Sequence, residues 1–252
     1  MKLTVLGSGV MISGAGRNCA GYVLEAGEEK FVFDFGTGAF KALQKNGFDF
    51  LSVNNFFFTH FDHPDHVNDF VALVAARFVV HKFNAGRSNS LNVVAPVGFK
   101  KFFSKFIEIY PFLKKLPFKL NIKEVSNSGF KFRGLAVLAC KVRHTKTSVG
   151  YRVSFGQKTF SYGGDTGYCR EIVELCQKSG LAVLECSLAE TDAPLLHLNA
   201  STCALIAREA RAKKLVLSHI YPFLEKSDLA KIAQAGFGGK VLAAKDGMVL
   251  KI

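Results

Sequence analysis

The segment that most constrains this chain is a short cluster of histidine and aspartate residues, Thr59-His60-Phe61-Asp62-His63-Pro64-Asp65-His66. Five side chains that can bind a metal fall within seven positions, from residue 60 to residue 66. The cluster directly follows Phe56-Phe57-Phe58, which has the β-propensity and the length of a short buried strand. Imidazole together with carboxylate suits zinc or a similar divalent metal. The segment therefore predicts a metal site at a strand end, the alternative being a polar loop that is merely rich in histidine and aspartate.

Other possible ligands occupy the same kind of position. Each ends a strand-like run: His144 follows residues 137–142, Asp165 follows residues 158–162 across two glycines, and His219 follows residues 214–218. A strand that ends in a ligand presents it at the edge of a sheet, where a rigid scaffold holds its geometry. We therefore expect these side chains to join the residue 60–66 cluster.

Strand-like and helical segments alternate in two halves, which predicts a mixed α/β protein. No stretch rich in proline, glycine or serine indicates a linker, so residues 1–252 are expected to form a single domain. The predicted elements include helices over 64–78 and 97–113 and a single strand over 131–139.

Composition narrows the function classes. The 33 lysines and arginines against 20 acids give a formal charge of +13, which would attract a polyanion such as RNA, although it is also compatible with a role in solubility alone. The six cysteines form no Cys-x-x-Cys pair, which argues against a cysteine-rich zinc site. We find no signal peptide and no apolar run long enough to span a membrane, so a cytoplasmic protein without membrane contact is expected. Gly7-Ser8-Gly9 lacks the rest of a dinucleotide-binding fingerprint.

Taken in order, the motifs resemble those of metallo-β-lactamase-fold hydrolases of the ribonuclease Z-like branch. The matching segments span residues 3 to 222: Leu3–Gly9, Phe33-Asp34-Phe35-Gly36, Thr59–His66, His144, Gly164-Asp165-Thr166, His197-Leu198-Asn199 and Leu217-Ser218-His219. The resemblance implies an αββα sandwich, with two mixed sheets between outer layers of helices. It also implies two divalent metal ions, zinc in the first place, with manganese or iron as alternatives.

The resemblance assigns the ligands in two sets bridged by one carboxylate. One metal would be bound by His60, His63 and His144, the other by Asp65, His66 and His219, with Asp165 between them. The family spaces its first two histidines two positions apart, whereas His60 and His63 are three apart. Treating Asp62 as a one-residue insertion gives the set above, which we favour. The alternative uses Asp62 in place of His63.

By the same resemblance, a metal-bridging hydroxide acts as nucleophile and Asp65 orients it or accepts its proton. His197 belongs to neither metal set and would assist the leaving group or stabilise the transition state, although tRNA-processing members carry serine where this chain has Leu198. Asp34 would hydrogen-bond a ligand histidine.

These features together predict a dinuclear hydrolase, in the first place a phosphodiesterase. Its substrate would be a phosphodiester or another small ester, with RNA as a possible partner, and family analogy suggests a homodimer. We find no glycine- and proline-rich insertion like the arm with which ribonuclease Z grips tRNA. The alternatives are a lactone or β-lactam hydrolase on the same metal core, and a basic nucleic-acid-binding module with a degraded site.

Overall fold

The structure is a computed structural model that describes residues 1–12, 16–84 and 90–252. Within these ranges the chain forms fourteen strands and six α-helices. The strands are β1 (Lys2–Gly7), β2 (Gly21–Ala26), β3 (Glu29–Phe35), β4 (Asn55–Phe57), β5 (Leu91–Pro96), β6 (Leu120–Val125), β7 (Ser128–Phe132), β8 (Leu135–Lys141), β9 (Val149–Phe155), β10 (Lys158–Tyr162), β11 (Leu181–Glu185), β12 (Lys214–Ser218), β13 (Lys240–Ala243) and β14 (Val249–Lys251). The helices are α1 (Ala39–Lys45), α2 (Asp69–Asn84), α3 (Phe99–Ile109), α4 (Arg170–Leu175), α5 (Ala200–Glu209) and α6 (Leu229–Gly236), and short 3-10 helices cover Pro64–His66, Pro111–Lys115 and Pro222–Leu224.

The described strands form two mixed sheets of seven. The first has the order β14-β1-β2-β3-β4-β5-β6 and the second β13-β12-β11-β10-β9-β8-β7. Along the first order, three antiparallel pairings are followed by three parallel ones. Along the second order, three parallel pairings are followed by three antiparallel ones. The parallel strands are the ones whose carboxyl ends carry most of the candidate ligands.

The phenylalanine run of β4 shows how the layers pack. Phe57 joins the core between the two sheets, whereas Phe56 and Phe58 join the core between the first sheet and helices α1, α2 and α3. Alternate side chains of a strand point to opposite faces, so a strand buried on both faces reads as an uninterrupted apolar run. A third core lies between the second sheet and helices α4, α5 and α6. The predicted αββα sandwich is confirmed.

Three predicted elements differ in their bounds. Residues 131–139 are not one strand, because Arg133 and Gly134, with φ of 48° and 82°, form the tight turn of the β7–β8 hairpin. The predicted helix over 97–113 ends at Ile109, since Pro111 excludes helical geometry at the residue before it. The predicted helix over 64–78 begins only at Asp69, after the separate 3-10 helix Pro64–His66.

No helix in the described part of the chain combines the length and the apolar character that crossing a membrane requires.

Candidate metal centre

The seven predicted metal ligands lie together where loops from both sheets converge. Their ligand atoms form overlapping groups, within each of which all atoms lie within 4.8 Å of one another. The groups are His60 with His63 and His144; Asp65 with His66 and His219; His60 with His66 and Asp165; and His144 with Asp165 and His197. The first two groups are the two sets that the sequence predicts. The last two groups place Asp165 beside members of both predicted sets.

The His60 ring is hydrogen-bonded through Nδ1 and leaves Nε2 for the site. Its Nδ1 lies 3.1 Å from the Thr59 hydroxyl, which itself donates to Asp34 Oδ2 over 2.8 Å. Since that hydroxyl has used its proton, it accepts from Nδ1–H of His60, and Nε2 keeps its lone pair. The rings of His63 and His144 lie 5.6 and 5.1 Å from the His60 ring.

His219, in the second group, is likewise hydrogen-bonded through Nδ1 and leaves Nε2 for the site. Ser187 Oγ donates to the His219 carbonyl over 3.1 Å, so it accepts from Nδ1 of the same histidine over 2.9 Å. The remaining nitrogen, Nε2, lies 3.3 Å from Asp65 Oδ2 and 3.3 Å from His66 Nε2. His219 takes a φ of 56°, an uncommon conformation that turns its side chain out of β12 into the site.

Asp165 lies between the two groups. Its Oδ1 is 3.2 Å from His66 Nε2, while its Oδ2 is 4.0 Å from Nε2 of both His60 and His144. A carboxylate with one oxygen toward each group has the placement of a bridging ligand. Gly164 precedes it with a φ of 59°, and a Cβ there would lie 2.5 Å from Thr59 Cβ, so glycine is required for β10 and β4 to approach so closely.

Asp34, near the end of β3, orients residues of the site through hydrogen bonds. Its carboxylate is fully buried and accepts from His66 Nδ1 over 2.7 Å and from the Tyr162 hydroxyl over 2.7 Å. It also accepts from both the backbone N–H and the hydroxyl of Thr59, each over 2.8 Å. The hydrogen bond between Asp34 and a histidine of the set, expected from the sequence, is therefore present. Such a partner fixes the ring and raises its basicity as a ligand.

The inserted residue and its neighbour face different surroundings. His63 is half-buried, and its ring lies 5.5 Å from that of His144. Asp62 is exposed, and its Oδ2 accepts a hydrogen bond from the Thr145 hydroxyl over 2.8 Å. The geometry thus places His63 with the histidine group and Asp62 against the loop that carries His144.

His197 lies beside the first group, with its ring 5.0 Å from that of His144. Its Nδ1 is 2.8 Å from Oε1 of Glu185, a buried carboxylate at the end of β11 whose Oε1 also accepts from the Thr166 N–H. Burial alone would lower the pKa of His197, but the hydrogen bond and charge of Glu185 raise it to about 9. Glu185 is not among the residues predicted from the sequence. Its position could have indicated a role, because this acid directly follows the apolar run Leu181-Ala182-Val183-Leu184, and several candidate ligands also follow apolar runs.

Several buried polar atoms at the centre have no hydrogen-bond partner among the described residues. They are His60 Nε2, both ring nitrogens of His144, Asp65 Oδ1 and Asp165 Oδ1. Leaving such groups unpaired costs about 1–3 kcal/mol each, so a cluster of them calls for a ligand. Each of these residues offers an electron pair, His144 through whichever ring nitrogen carries no proton, and divalent first-row metals bind such donors. The donor set therefore fits the metal ions that the sequence predicts.

The electrostatics of the centre agree with this fit. Burial, together with the charges of His66 and His144, lowers the pKa of His60 well below its usual value, which keeps the ring neutral. Burial opposes the ionisation of Asp165, yet His219 and His66 lower its pKa well below the usual range. Burial likewise works against His66, but Asp165 and Asp34 raise its pKa well above normal. The carboxylates thus favour positive charge at the middle of the site.

Relatives with similar sequences cover nearly the whole chain. It is 28% identical over 254 residues to protein Rv1339 of Mycobacterium tuberculosis, covering 96% of this chain and 89% of the relative. It is 25% identical to the probable metallo-hydrolase YhfI of Bacillus subtilis, covering 99% of each. It is 24% identical to ribonuclease Z of Prochlorococcus marinus over the full length of both.

Solved structures show the same fold. The crystal structure of the metallo-beta-lactamase fold protein YhfI from Bacillus subtilis superposes with a TM-score of 0.83 at 24% identity, covering 99% of this chain and 98% of that one. Human tRNase Z, short form, superposes with a TM-score of 0.81 at 22% identity, covering 100% and 99%. The profile of the Beta-lactamase superfamily domain matches residues 52–220, the stretch that carries all seven candidate ligands. The chain therefore belongs to the beta-lactamase superfamily and has the metallo-β-lactamase fold.

Proposed function

We propose that this chain is a dinuclear metal-dependent hydrolase that cleaves phosphodiesters. The observation that carries the proposal is the set of buried, unpartnered nitrogen and carboxylate donors from loops of both sheets. His60, His63 and His144 would hold one ion, Asp65, His66 and His219 the other, and Asp165 would contact both. Two such ions, when bound, lower the pKa of water toward neutrality and take up charge that develops on a phosphoryl oxygen.

Asp65 is the residue best placed to position the attacking water. Its Oδ2 faces His219 Nε2 over 3.3 Å, while its buried Oδ1 has no partner in the described part of the chain. Burial would raise its pKa, but the His219 hydrogen bond and the charge of His66 lower the pKa to about 2. The carboxylate is therefore ionised at neutral pH and can accept a hydrogen bond from a water in the site.

Glu185 and His197 would act on the leaving group. The Glu185 carboxylate holds Nδ1–H of His197, which leaves Nε2 as the nitrogen that can donate a proton to a departing oxygen. Thr166 fixes the carboxylate in turn through its backbone N–H over 2.8 Å. In this scheme His197 touches the substrate and Glu185 positions it.

Two further observations favour a phosphodiester over a lactone or β-lactam. The formal charge of +13 attracts polyanionic substrates, including RNA. Relatives that match the full length of the chain include ribonuclease Z proteins. The homodimer, inferred from family analogy, and the cytoplasmic location, inferred from the sequence, stay predictions.

The decisive experiment joins metal analysis with turnover. After purification with added zinc, the protein should hold close to two equivalents of metal per chain and hydrolyse bis-p-nitrophenyl phosphate faster than a lactone or a β-lactam. His219→Ala should lose about one equivalent and most of the turnover. A single equivalent that is unchanged in His219→Ala would contradict the dinuclear centre. Two equivalents with preferred lactone or β-lactam turnover would contradict the phosphodiesterase.

A further inference from the structure

Large apolar side chains stand exposed on the loops that carry the site residues. Leu195 and Leu196, directly before His197, are 61% and 49% exposed, and Phe223, four residues after His219, is 63% exposed. Apolar side chains grouped around a site of this kind commonly contact a ligand or a partner. Of these, Phe223 has the most defined geometry.

Phe223 continues a row of rings that starts at the metal centre. The Tyr221 ring meets the His219 ring edge to face, with centroids 6.4 Å apart and an interplanar angle of 84°. Phe223 then stacks on Tyr221 at 5.3 Å and 30°.

The surrounding loop holds the two rings in place. Tyr221 packs partly buried against the core beneath α5 and α6, and Leu224 is buried directly after Phe223. Pro222 begins the 3-10 helix, where its fixed φ restricts the backbone. Glu225, directly after this 3-10 helix, forms an ion pair with Arg17, whose guanidinium also donates to Ser8 Oγ over 2.6 Å. A ring that is this exposed on a backbone this constrained is preorganised for contact.

We propose that Tyr221 and Phe223 form a stacking platform for the nucleobase of a nucleoside phosphodiester whose phosphate lies at the metal centre. The platform rests on the proposed phosphodiesterase activity and names its substrate class. Stacked aromatic faces suit a flat base better than a flexible alkyl chain, because every nucleobase has a π face that stacks irrespective of sequence. Base stacking on an aromatic side chain contributes about 1–3 kcal/mol by alanine substitution.

Two esters with the same leaving group, one with a base and one without, distinguish base stacking from the chemical step. Thymidine 5′-p-nitrophenyl phosphate carries a base, whereas methyl p-nitrophenyl phosphate does not. In Phe223→Ala, the ratio of kcat/KM for the first ester over the second should fall about 5- to 150-fold, the equivalent of the stacking energy. Phe223→Tyr keeps a ring and should retain the ratio. Phe83→Ala removes a phenylalanine that is 75% exposed on α2 and should also retain it.

Equilibrium binding gives a second measurement that does not depend on turnover. By calorimetry on the zinc-loaded protein, Phe223→Ala should weaken adenosine 5′-monophosphate by a similar factor, relative to inorganic phosphate. An unchanged ratio of the two esters, or equal weakening of both ligands, would overturn the platform. If wild type fails to cleave either ester, the proposed function fails, while the binding comparison still decides the platform. Turnover of a dinucleoside monophosphate or of a short oligoribonucleotide then tells whether the base belongs to a free nucleotide or to a chain.

Discussion

At the scale of single residues, the candidate centre depends on how each histidine is oriented. Thr59 holds His60, Asp34 holds His66 and Ser187 holds His219, in each case through Nδ1. A histidine whose Nδ1–H is bound in this way offers Nε2 as a ligand in a fixed direction. The supporting residues therefore determine the geometry of the site as much as the ligands do.

Asp34 is the support whose loss should matter most, because it accepts from His66, Thr59 and Tyr162 at once. Asp34→Asn removes its charge while keeping its size, so we expect zinc affinity to fall about 10- to 100-fold in a chelator competition. The matched control is Asp246→Asn, since the Asp246 carboxylate accepts from Ser8 and Asn18 and from no histidine among the described residues. Equal affinities in Asp34→Asn and wild type, with intact circular dichroism, would refute the supporting role.

The residue inserted after His60 gives a second test at this scale. His63 lies among the histidines, whereas Asp62 accepts from Thr145 on an exposed loop. His63→Ala should therefore lose about one metal equivalent and most activity, and Asp62→Ala should keep most of both. The measurement is the metal content per chain and the turnover of the two variants, determined in parallel. The opposite pattern would transfer the ligand role to Asp62.

At the scale of elements, the sequence is most informative where strands are buried on both faces. The apolar runs of β4 and β12 are followed closely by His60 and His219, so both the strands and these candidate ligands could be predicted. The hairpin of β7 and β8 could not, because β7 alternates half-buried and exposed residues at the edge of its sheet and lacks an apolar run. The turn at Arg133 likewise gives no strong signal, since arginine rarely adopts a positive φ.

Side-chain contacts between elements that are distant in the chain could not be predicted from the sequence. Glu185 ends β11 and His197 precedes α5, and only the packing of α5 on the second sheet brings them within 2.8 Å. The role of Ser187 depends on a similar contact, because it follows β11 and bonds the ring of His219, which follows β12. Thr59 bonds the ring of the next residue, His60, but its hydroxyl is oriented by Asp34 of β3. The candidate ligands and the bond from Asp34 to a histidine could thus be predicted from the chain, whereas the other hydrogen bonds that orient the rings required the structure.

The contact between the end of β11 and the start of α5 carries a prediction of its own. His197→Ala should retain two metals and a similar KM, while kcat falls about 10²- to 10⁴-fold, the usual contribution of a positioned proton donor. The loss should be largest for substrates with poor leaving groups, because an activated phenolate needs no proton. Glu185→Gln should show the same leaving-group dependence at a smaller size, since the ring stays but its partner loses charge.

Steady-state kinetics on a series of aryl and alkyl phosphodiesters measures this dependence. Equal losses on good and poor leaving groups would assign His197 to substrate positioning. No loss in either variant would show that His197 is only a loop residue.

At the scale of the whole molecule, the candidate centre joins the two sheets. His60, His63, Asp65 and His66 follow β4 of the first sheet, whereas His144, Asp165 and His219 follow β8, β10 and β12 of the second. Metal ions bound across this edge would add to the apolar core between the sheets, where Phe33 stacks on Phe57 at 4.8 Å and meets Phe160 at 5.2 Å. Stability should therefore depend on metal occupancy.

Removal of metal by a chelator should lower the melting temperature of the protein. A ligand at 100 to 1,000 times its Kd stabilises the folded state by about 2.7–4.1 kcal/mol, and each kcal/mol shifts Tm by about 2–4 °C for a chain of this size. We expect a fall of about 5–15 °C in scanning calorimetry, reversed by added zinc. His219→Ala, which loses one ligand from the second sheet, should respond less to the chelator than wild type. Identical melting temperatures with and without metal would mean that the ions, if bound, do not connect the sheets.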